Sequence, residues 1–163
     1  LMAFIKFTMP DPEDMSDVTR STYENALHHD AICAAIEAVE RGDIKFLILT
    51  TAPRHGKSEI VSRRLPAWFL GRHPNWFVAS ATYSDEFAMD FGSDVRRIMT
   101  SPAYKQVFPE VRLTRGGAAK DRLQTERGGM AFFVGAGGAM TGRGAHLLVV
   151  DDIFRDYEQA RSK

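Results

Sequence analysis

Residues 46–58 read Phe-Leu-Ile-Leu-Thr-Thr-Ala-Pro-Arg-His-Gly-Lys-Ser, and this stretch decides the predicted fold. Its first four residues form a continuous apolar run, which predicts a strand buried on both faces. The run breaks at Pro53, and the apolar segment after Gly56-Lys57-Ser58 predicts the start of a helix. A strand, a loop ending in Gly-Lys-Ser and a helix, in that order, are the layout of a phosphate-binding loop, or P-loop.

The loop supplies the groups that a nucleoside triphosphate needs. Backbone N–H groups and the start of the helix surround an anion. Lys57 adds a charge for the β- and γ-phosphates, and Ser58 offers its hydroxyl to a magnesium ion. The usual pattern has a glycine where this chain has Thr51. The alternative is an ordinary strand-turn-helix with Lys57 on the surface. The predicted nucleotide-binding residues are Thr51, Ala52, Pro53, Arg54, His55, Gly56, Lys57, Ser58 and Glu59.

A second apolar run, Leu147–Val150, ends in Asp151 and Asp152. We expect Asp151 to hold magnesium directly or through water, and Asp152 to position an attacking water molecule. The alternative is a pair of aspartates that caps a following helix. The long separation of Lys57 from Asp151, with at least one strand between them, favours the P-loop branch that has an additional strand and a catalytic acid.

Length and composition limit the classes of protein to which this chain can belong. A length of 163 residues predicts one domain, and a hydrophobic content of 44% is enough for a core. Lys+Arg and Asp+Glu both number 21, so net charge gives no general argument for nucleic acid. The single cysteine, Cys33, excludes an internal disulfide. No apolar run approaches the ~20 residues of a membrane span, so we expect no membrane partner.

The remaining patterns predict further elements. A short strand is expected within Phe4–Met9, and Gly135–Gly144, with five glycines in ten residues, is either mobile or close to a ligand or another backbone. Pro66 predicts a kink or a break in the helix after the loop. The other expected elements are a helix from about Thr22 to Gly42, a buried strand at Trp76–Ala79, a helix with an apolar face from Phe87 to Met99, and a hairpin of Leu123–Glu126 with Met130–Val134.

Three separated motifs resemble the large terminase subunit of tailed bacteriophages. They are Pro-Arg-His-Gly-Lys-Ser-Glu (53–59), Val-Ser-Arg-Arg-Leu-Pro-Ala-Trp-Phe-Leu-Gly (61–71) and Thr-Gly-Arg-Gly-Ala-His-Leu-Leu-Val-Val-Asp-Asp (141–152). The resemblance implies an α/β P-loop NTPase with a mainly parallel sheet, flanking helices and a β-hairpin insertion. Residues 1–22 would be an N-terminal arm or linker. Residues 23–163 would be an ATPase domain, incomplete at its C-terminus and without the RNase H-type nuclease of full-length family members.

The same resemblance implies an ATPase motor, with ATP and Mg²⁺ as cofactors, that drives double-stranded DNA into a procapsid. The implied partners are DNA, the portal protein, the small terminase subunit and further copies of the chain in a ring on the portal. The implied location is the host cytoplasm, at the procapsid portal. Two other functions stay open. One is a different P-loop phosphotransferase, and the other is a nucleotide-binding fragment without turnover.

Further catalytic residues follow from the motifs and the resemblance. Many family members have glutamate where this chain has Asp152, and Glu158 is the fallback catalytic acid. Arg54 is expected to contact the γ-phosphate region or the catalytic acid, with solvent exposure as the alternative. Arg143 is expected either to complete the site of a neighbouring subunit or to pair with an acid of its own chain.

Local basic pairs are the candidates for DNA contact, because the chain as a whole is neutral. Salt-bridge partners are the alternative interpretation of such pairs. The pairs are Arg63 with Arg64, Arg96 with Arg97, and Arg112 with Arg115.

Overall fold

A computed structural model describes residues 1–14, 17, 20–114, 121–138 and 144–154. The chain divides into two compact units, residues 1–60 and residues 61–163. A π-helical segment, Glu59–Arg64, follows the Gly-Lys-Ser loop. The other elements are α1 (Met2–Phe7), α2 (Leu27–Glu40), α3 (Leu65–Arg72), β1 (Phe77–Thr82), α4 (Asp85–Thr100), α5 (Pro102–Val107), β2 (Arg122–Gln124), β3 (Met130–Gly135) and β4 (Leu147–Val150).

The second unit contains a four-stranded mixed sheet in the described part of the chain, with the strand order β2-β3-β1-β4. The central strand, β1, is parallel to both β3 and β4. The short β2 is antiparallel to β3, to which residues 125–129 connect it. This topology confirms an α/β fold with a largely parallel sheet and flanking helices.

Within the second unit, helices α3 and α4 pack against the sheet, and the buried apolar residues of α4 repeat at helical spacing. In α4, Phe91, Val95 and Ile98 are buried, and the Ser84 hydroxyl accepts a hydrogen bond from the Phe87 N–H at 3.3 Å, which caps the helix. Pro66 lies in the first turn of α3, where its missing N–H costs no helical hydrogen bond. Helical structure continues from the π-helical segment into α3 without an intervening loop, so the structure shows no break at Pro66, only a change from π-helix to α-helix at Leu65.

The first unit contains α1 and α2. The expected short strand within Phe4–Met9 is wrong, since these residues overlap α1, which buries Phe4 and Ile5. Helix α2 buries Ile32, Cys33 and Ile36 at helical spacing. Burial raises the pKa of the Cys33 thiol to about 11, so the thiol stays protonated at neutral pH. In neither unit does a described helix combine the length and apolarity that crossing a membrane requires.

The apolar run before the loop departs from its prediction. Residues 46–50 belong to no strand in the described part of the chain, and Phe46 and Ile48 are 93% and 91% exposed. An apolar pattern shows that side chains are suited to burial, but a strand also needs a neighbour that completes its hydrogen bonds. The prediction of a buried strand at Phe46–Leu49 is therefore wrong for this structure.

Candidate functional site

The Gly-Lys-Ser loop lies in the first unit and turns sharply into a helix. Arg54 and Gly56 both have left-handed backbone conformations, with φ of 63° and 76°. The Ile60 N–H then donates to the Gly56 carbonyl oxygen at 3.1 Å, which closes the first helical turn. Lys57 and Ser58 lie in that turn and are half-buried. The loop and the helix start of the predicted motif are thus present, although the preceding strand is not.

The imidazole of His29, in α2, supports this loop. Its Nδ1 accepts the Ala26 N–H at 3.1 Å, so the ring proton must be on Nε2. That N–H donates to the His55 carbonyl oxygen at 3.0 Å. A Cβ on Gly56 would lie 2.8 Å from the same Nε2, so a side chain there would displace either the loop or the imidazole. No local pattern in the sequence indicates this contact, because 26 residues separate the two histidines.

Two polar atoms of the first unit are buried without a hydrogen-bond partner in the described part of the chain, namely Thr51 Oγ1 and the Tyr23 hydroxyl. Burial, and then the nearby Cys33 and Glu59, raise the pKa of Tyr23 to about 12, so the phenol keeps its proton at neutral pH. Buried polar groups without partners are uncommon and each needs an explanation. For Thr51, which occupies the position of the missing glycine, a polar ligand bound at the loop would be such an explanation.

The acid pair lies in the second unit, at the carboxyl ends of parallel strands. Asp151 follows β4, and its N–H donates to the Ala81 carbonyl oxygen of β1 at 3.0 Å. The Asp151 side chain is buried, and its Oδ2 accepts a hydrogen bond from the Ser62 hydroxyl at 2.5 Å. The carboxyl edge of the strands is where open α/β sheets bind ligands.

Asp152 has a different environment from Asp151, because it is exposed and has a φ of 46°. Within the described residues, Arg54 and Asp152 are the non-glycine residues with positive φ. Such backbone conformations cost free energy and concentrate at functional sites. Both outliers fall in the motifs selected from the sequence, one in the loop and one in the acid pair.

The described residues contain no group of three or more His, Cys, Asp or Glu side chains that could hold a metal ion. Magnesium is usually bound through one or two carboxylates together with substrate phosphates and water. A single buried carboxylate in the acid pair, that of Asp151, suits that mode of binding. Two other predicted catalytic residues, Arg143 and Glu158, lie outside the described residues.

The basic pairs proposed for DNA contact are partly engaged within the chain. Arg63 Nε lies 2.6 Å from one carboxylate oxygen of Asp94, and an Arg97 terminal nitrogen lies 2.7 Å from the other. The Arg63 guanidinium also lies over the Phe91 ring, at 5.1 Å from its centroid. Arg64 is 9% exposed. The salt-bridge interpretation therefore holds for Arg63 and Arg97, and burial takes Arg64 out of a surface patch.

A comparison with protein families finds that residues 48–163 match a family model described as terminase large subunit, T4likevirus-type, N-terminal. Comparisons with curated proteins and with solved structures gave no significant match. The matched range contains both the Gly-Lys-Ser loop and the acid pair.

Proposed function

The chain belongs to the terminase large-subunit family of the T4-like-virus type, as an N-terminal part, and from this premise we propose that it is the ATP-hydrolysing motor domain that drives double-stranded DNA into a procapsid. One observation carries the proposal, namely that the family match spans residues 48–163 and so includes both halves of the predicted site. In this proposal the α/β fold is a P-loop NTPase of the additional-strand, catalytic-acid branch, and the antiparallel pair β2–β3 is its hairpin insertion.

The residues present suit ATP and Mg²⁺ as cofactors. A Cβ on Gly56 would lie 2.8 Å from His29 Nε2, so the loop requires glycine at this position. The Thr51 hydroxyl is buried and has no hydrogen-bond partner among the described residues, which leaves it available to a polar ligand. In our proposal Lys57 binds the β- and γ-phosphates, while Ser58 and Asp151 would hold the metal ion. The bound metal would supply neutralisation of charge on the phosphates during transfer. The binding residues remain those of the loop, from Thr51 through Glu59.

The catalytic roles are assigned to acids and arginines. Asp152, exposed after β4, would orient the attacking water molecule and accept its proton, with Glu158 as the alternative acid. Arg54 extends from the loop itself and would stabilise charge at the γ-phosphate. Arg143 would complete the site of a neighbouring subunit, as an arginine finger does in other ring ATPases.

The proposed partners are double-stranded DNA, the portal protein, the small terminase subunit and further copies of the chain in a ring. The proposed location is the procapsid portal in the host cytoplasm. DNA contact in a sliding motor needs phosphate contacts without base readout. Because Arg63 and Arg97 are bound to Asp94, we assign no DNA contact to them.

The test is phosphate release from ATP by the full-length large subunit, with and without the other packaging proteins. Lys57→Ala should lower turnover by about 10²–10³-fold, because a charged donor to the transferring phosphoryl group is lost. Lys45→Ala is the matched control, since Lys45 is an exposed lysine outside the loop. Equal turnover in the two variants would remove Lys57 from the site. Nucleotide binding without any phosphate release by the assembled wild type would favour the non-catalytic alternative.

A further inference from the structure

The hydrogen bond between Ser62 and Asp151 joins two motifs that are far apart in the sequence. The donor is the Ser62 hydroxyl, the acceptor is Asp151 Oδ2, the distance is 2.5 Å and the separation is 89 residues. Ser62 is 0% exposed and Asp151 is 4% exposed. A short contact between a hydroxyl and a buried carboxylate is typical of a charge-assisted hydrogen bond.

The backbone of Asp151 is fixed by β1, but its side chain needs a separate constraint. The N–H bond to Ala81 continues the ladder of β4 and sets where the Cα lies. It does not set the rotation of the carboxylate, which has several staggered rotamers available. The Ser62 hydroxyl bonds one carboxylate oxygen and therefore selects among these rotamers.

Ser62 is close to the Gly-Lys-Ser loop in the sequence. Ser62 lies in the π-helical segment Glu59–Arg64, which begins immediately after Ser58. Single π-helical turns are uncommon in proteins, and those that do occur are often found at functional sites. The segment that starts at the Gly-Lys-Ser loop thus carries the hydroxyl that binds the acid after β4.

We propose that Ser62 is a positioning residue for Asp151, whose carboxylate it holds in the orientation needed for magnesium-dependent nucleotide binding. The proposal rests on the proposed function, because it requires Asp151 to act with the metal ion. Ser62 itself contacts neither nucleotide nor metal in this proposal. Partners that orient metal-binding side chains commonly change metal affinity by 10–100-fold when they are removed.

The experiment measures binding of a fluorescent, non-hydrolysable ATP analogue to the full-length subunit during a Mg²⁺ titration and, separately, in EDTA. Ser62→Ala should raise the half-saturating Mg²⁺ concentration roughly 10-fold or more and leave binding in EDTA unchanged. Ser93→Ala is the control, because the Ser93 hydroxyl donates to the Met89 carbonyl oxygen within α4. It should titrate as the wild type does.

A double-mutant cycle tests whether Ser62 acts through Asp151. In an Asp151→Asn background, where only Mg²⁺-independent nucleotide binding is expected to remain, Ser62→Ala should leave that remaining binding unchanged, since the carboxylate that it orients is already gone. Ser62→Cys has a side chain of similar volume but only a weak hydrogen-bond donor. If the alanine variant does not fold, the same measurements are made on the cysteine variant.

The outcomes separate this inference from the proposed function. If the wild type binds the analogue with Mg²⁺ and Ser62→Ala titrates within twofold of it, the positioning role alone is refuted. An equal loss in both backgrounds, or loss of folding in both the alanine and cysteine variants, also refutes it. If the wild type shows no Mg²⁺-dependent binding, the proposed function fails and the inference fails with it.

Discussion

His29 Nε2 lies 3.0 Å from the carbonyl oxygen of His55, the residue immediately before Gly56-Lys57-Ser58. This contact makes the start of α2 a support for the loop. His29→Ala should weaken nucleotide binding by about fivefold, because a buried hydrogen bond contributes about 1 kcal/mol. His28→Ala is the comparison, since His28 is exposed and its Nε2 lies 3.4 Å from the same oxygen. Calorimetric binding of an ATP analogue measures both variants, and equal affinities would contradict the support role of His29.

Gly56 offers a second test of the same support. Gly56→Ala should destabilise the loop twice over, through its φ of 76° and through a Cβ only 2.8 Å from His29 Nε2. Gly42→Ala is the matched control, because Gly42 has a φ of 84° and open space around its Cβ position. We expect the control to lose about 1–2 kcal/mol of unfolding free energy from the backbone conformation alone.

Removing the imidazole should separate the two penalties at Gly56. In a His29→Ala background, Gly56→Ala should cost no more than Gly42→Ala does, because only the backbone term remains. Chemical denaturation measures the unfolding free energies of Gly56→Ala, Gly42→Ala, His29→Ala and the double variant with both His29→Ala and Gly56→Ala. An undiminished cost of Gly56→Ala without His29 would show that the clash does not matter.

Arg54 combines a strained backbone with a charged side chain, so stability and activity should respond in opposite directions. With φ at 63°, Arg54→Gly should raise unfolding free energy by about 1 kcal/mol. The same change should lower ATP turnover, because it removes the guanidinium that we propose to act at the γ-phosphate. Arg54→Ala should lower turnover equally without the gain in stability. Unchanged turnover in both variants would mean that Arg54 only faces solvent.

Much of the sheet could be predicted because its signals are local. The run Leu147–Val150 is β4 with the predicted bounds, and β3 begins at Met130 as expected. The strand expected at Phe46–Leu49 failed since strand formation depends on a pairing partner, which a single segment does not reveal. Of the candidate site, the loop and the acid pair were visible as motifs. The contacts of His29 and Ser62 were not, because they arise from packing between residues distant in sequence.

Neutralising substitutions of the two acids after β4 should cause different defects, one in nucleotide binding and the other in hydrolysis. Asp151→Asn should abolish Mg²⁺-dependent nucleotide binding, because a buried carboxylate is replaced. Asp152→Asn should bind nucleotide but hydrolyse it at least about 10²-fold more slowly, as expected for loss of a general base. Nucleotide-binding and single-turnover assays distinguish the two defects. Normal hydrolysis by Asp152→Asn with a defect in Glu158→Gln would transfer the base role to Glu158.

Arg143 is the proposed source of catalysis between subunits, because it stands between Gly142 and Gly144 and shortly before the strand that ends at Asp151. An arginine finger contributes about 10³–10⁵-fold to the rate of phosphoryl transfer.

Lys57→Ala subunits keep Arg143, while Arg143→Ala subunits keep the phosphate loop, so each lacks what the other provides. Mixing the two inactive proteins under conditions of assembly should therefore restore part of the ATPase activity. Restoration requires that Arg143 acts on a neighbouring site, because pairing with an acid of its own chain repairs nothing in the mixture. Assembly of each variant, checked by light scattering, is the control. Assembled mixtures that stay inactive would contradict the role of Arg143 between subunits.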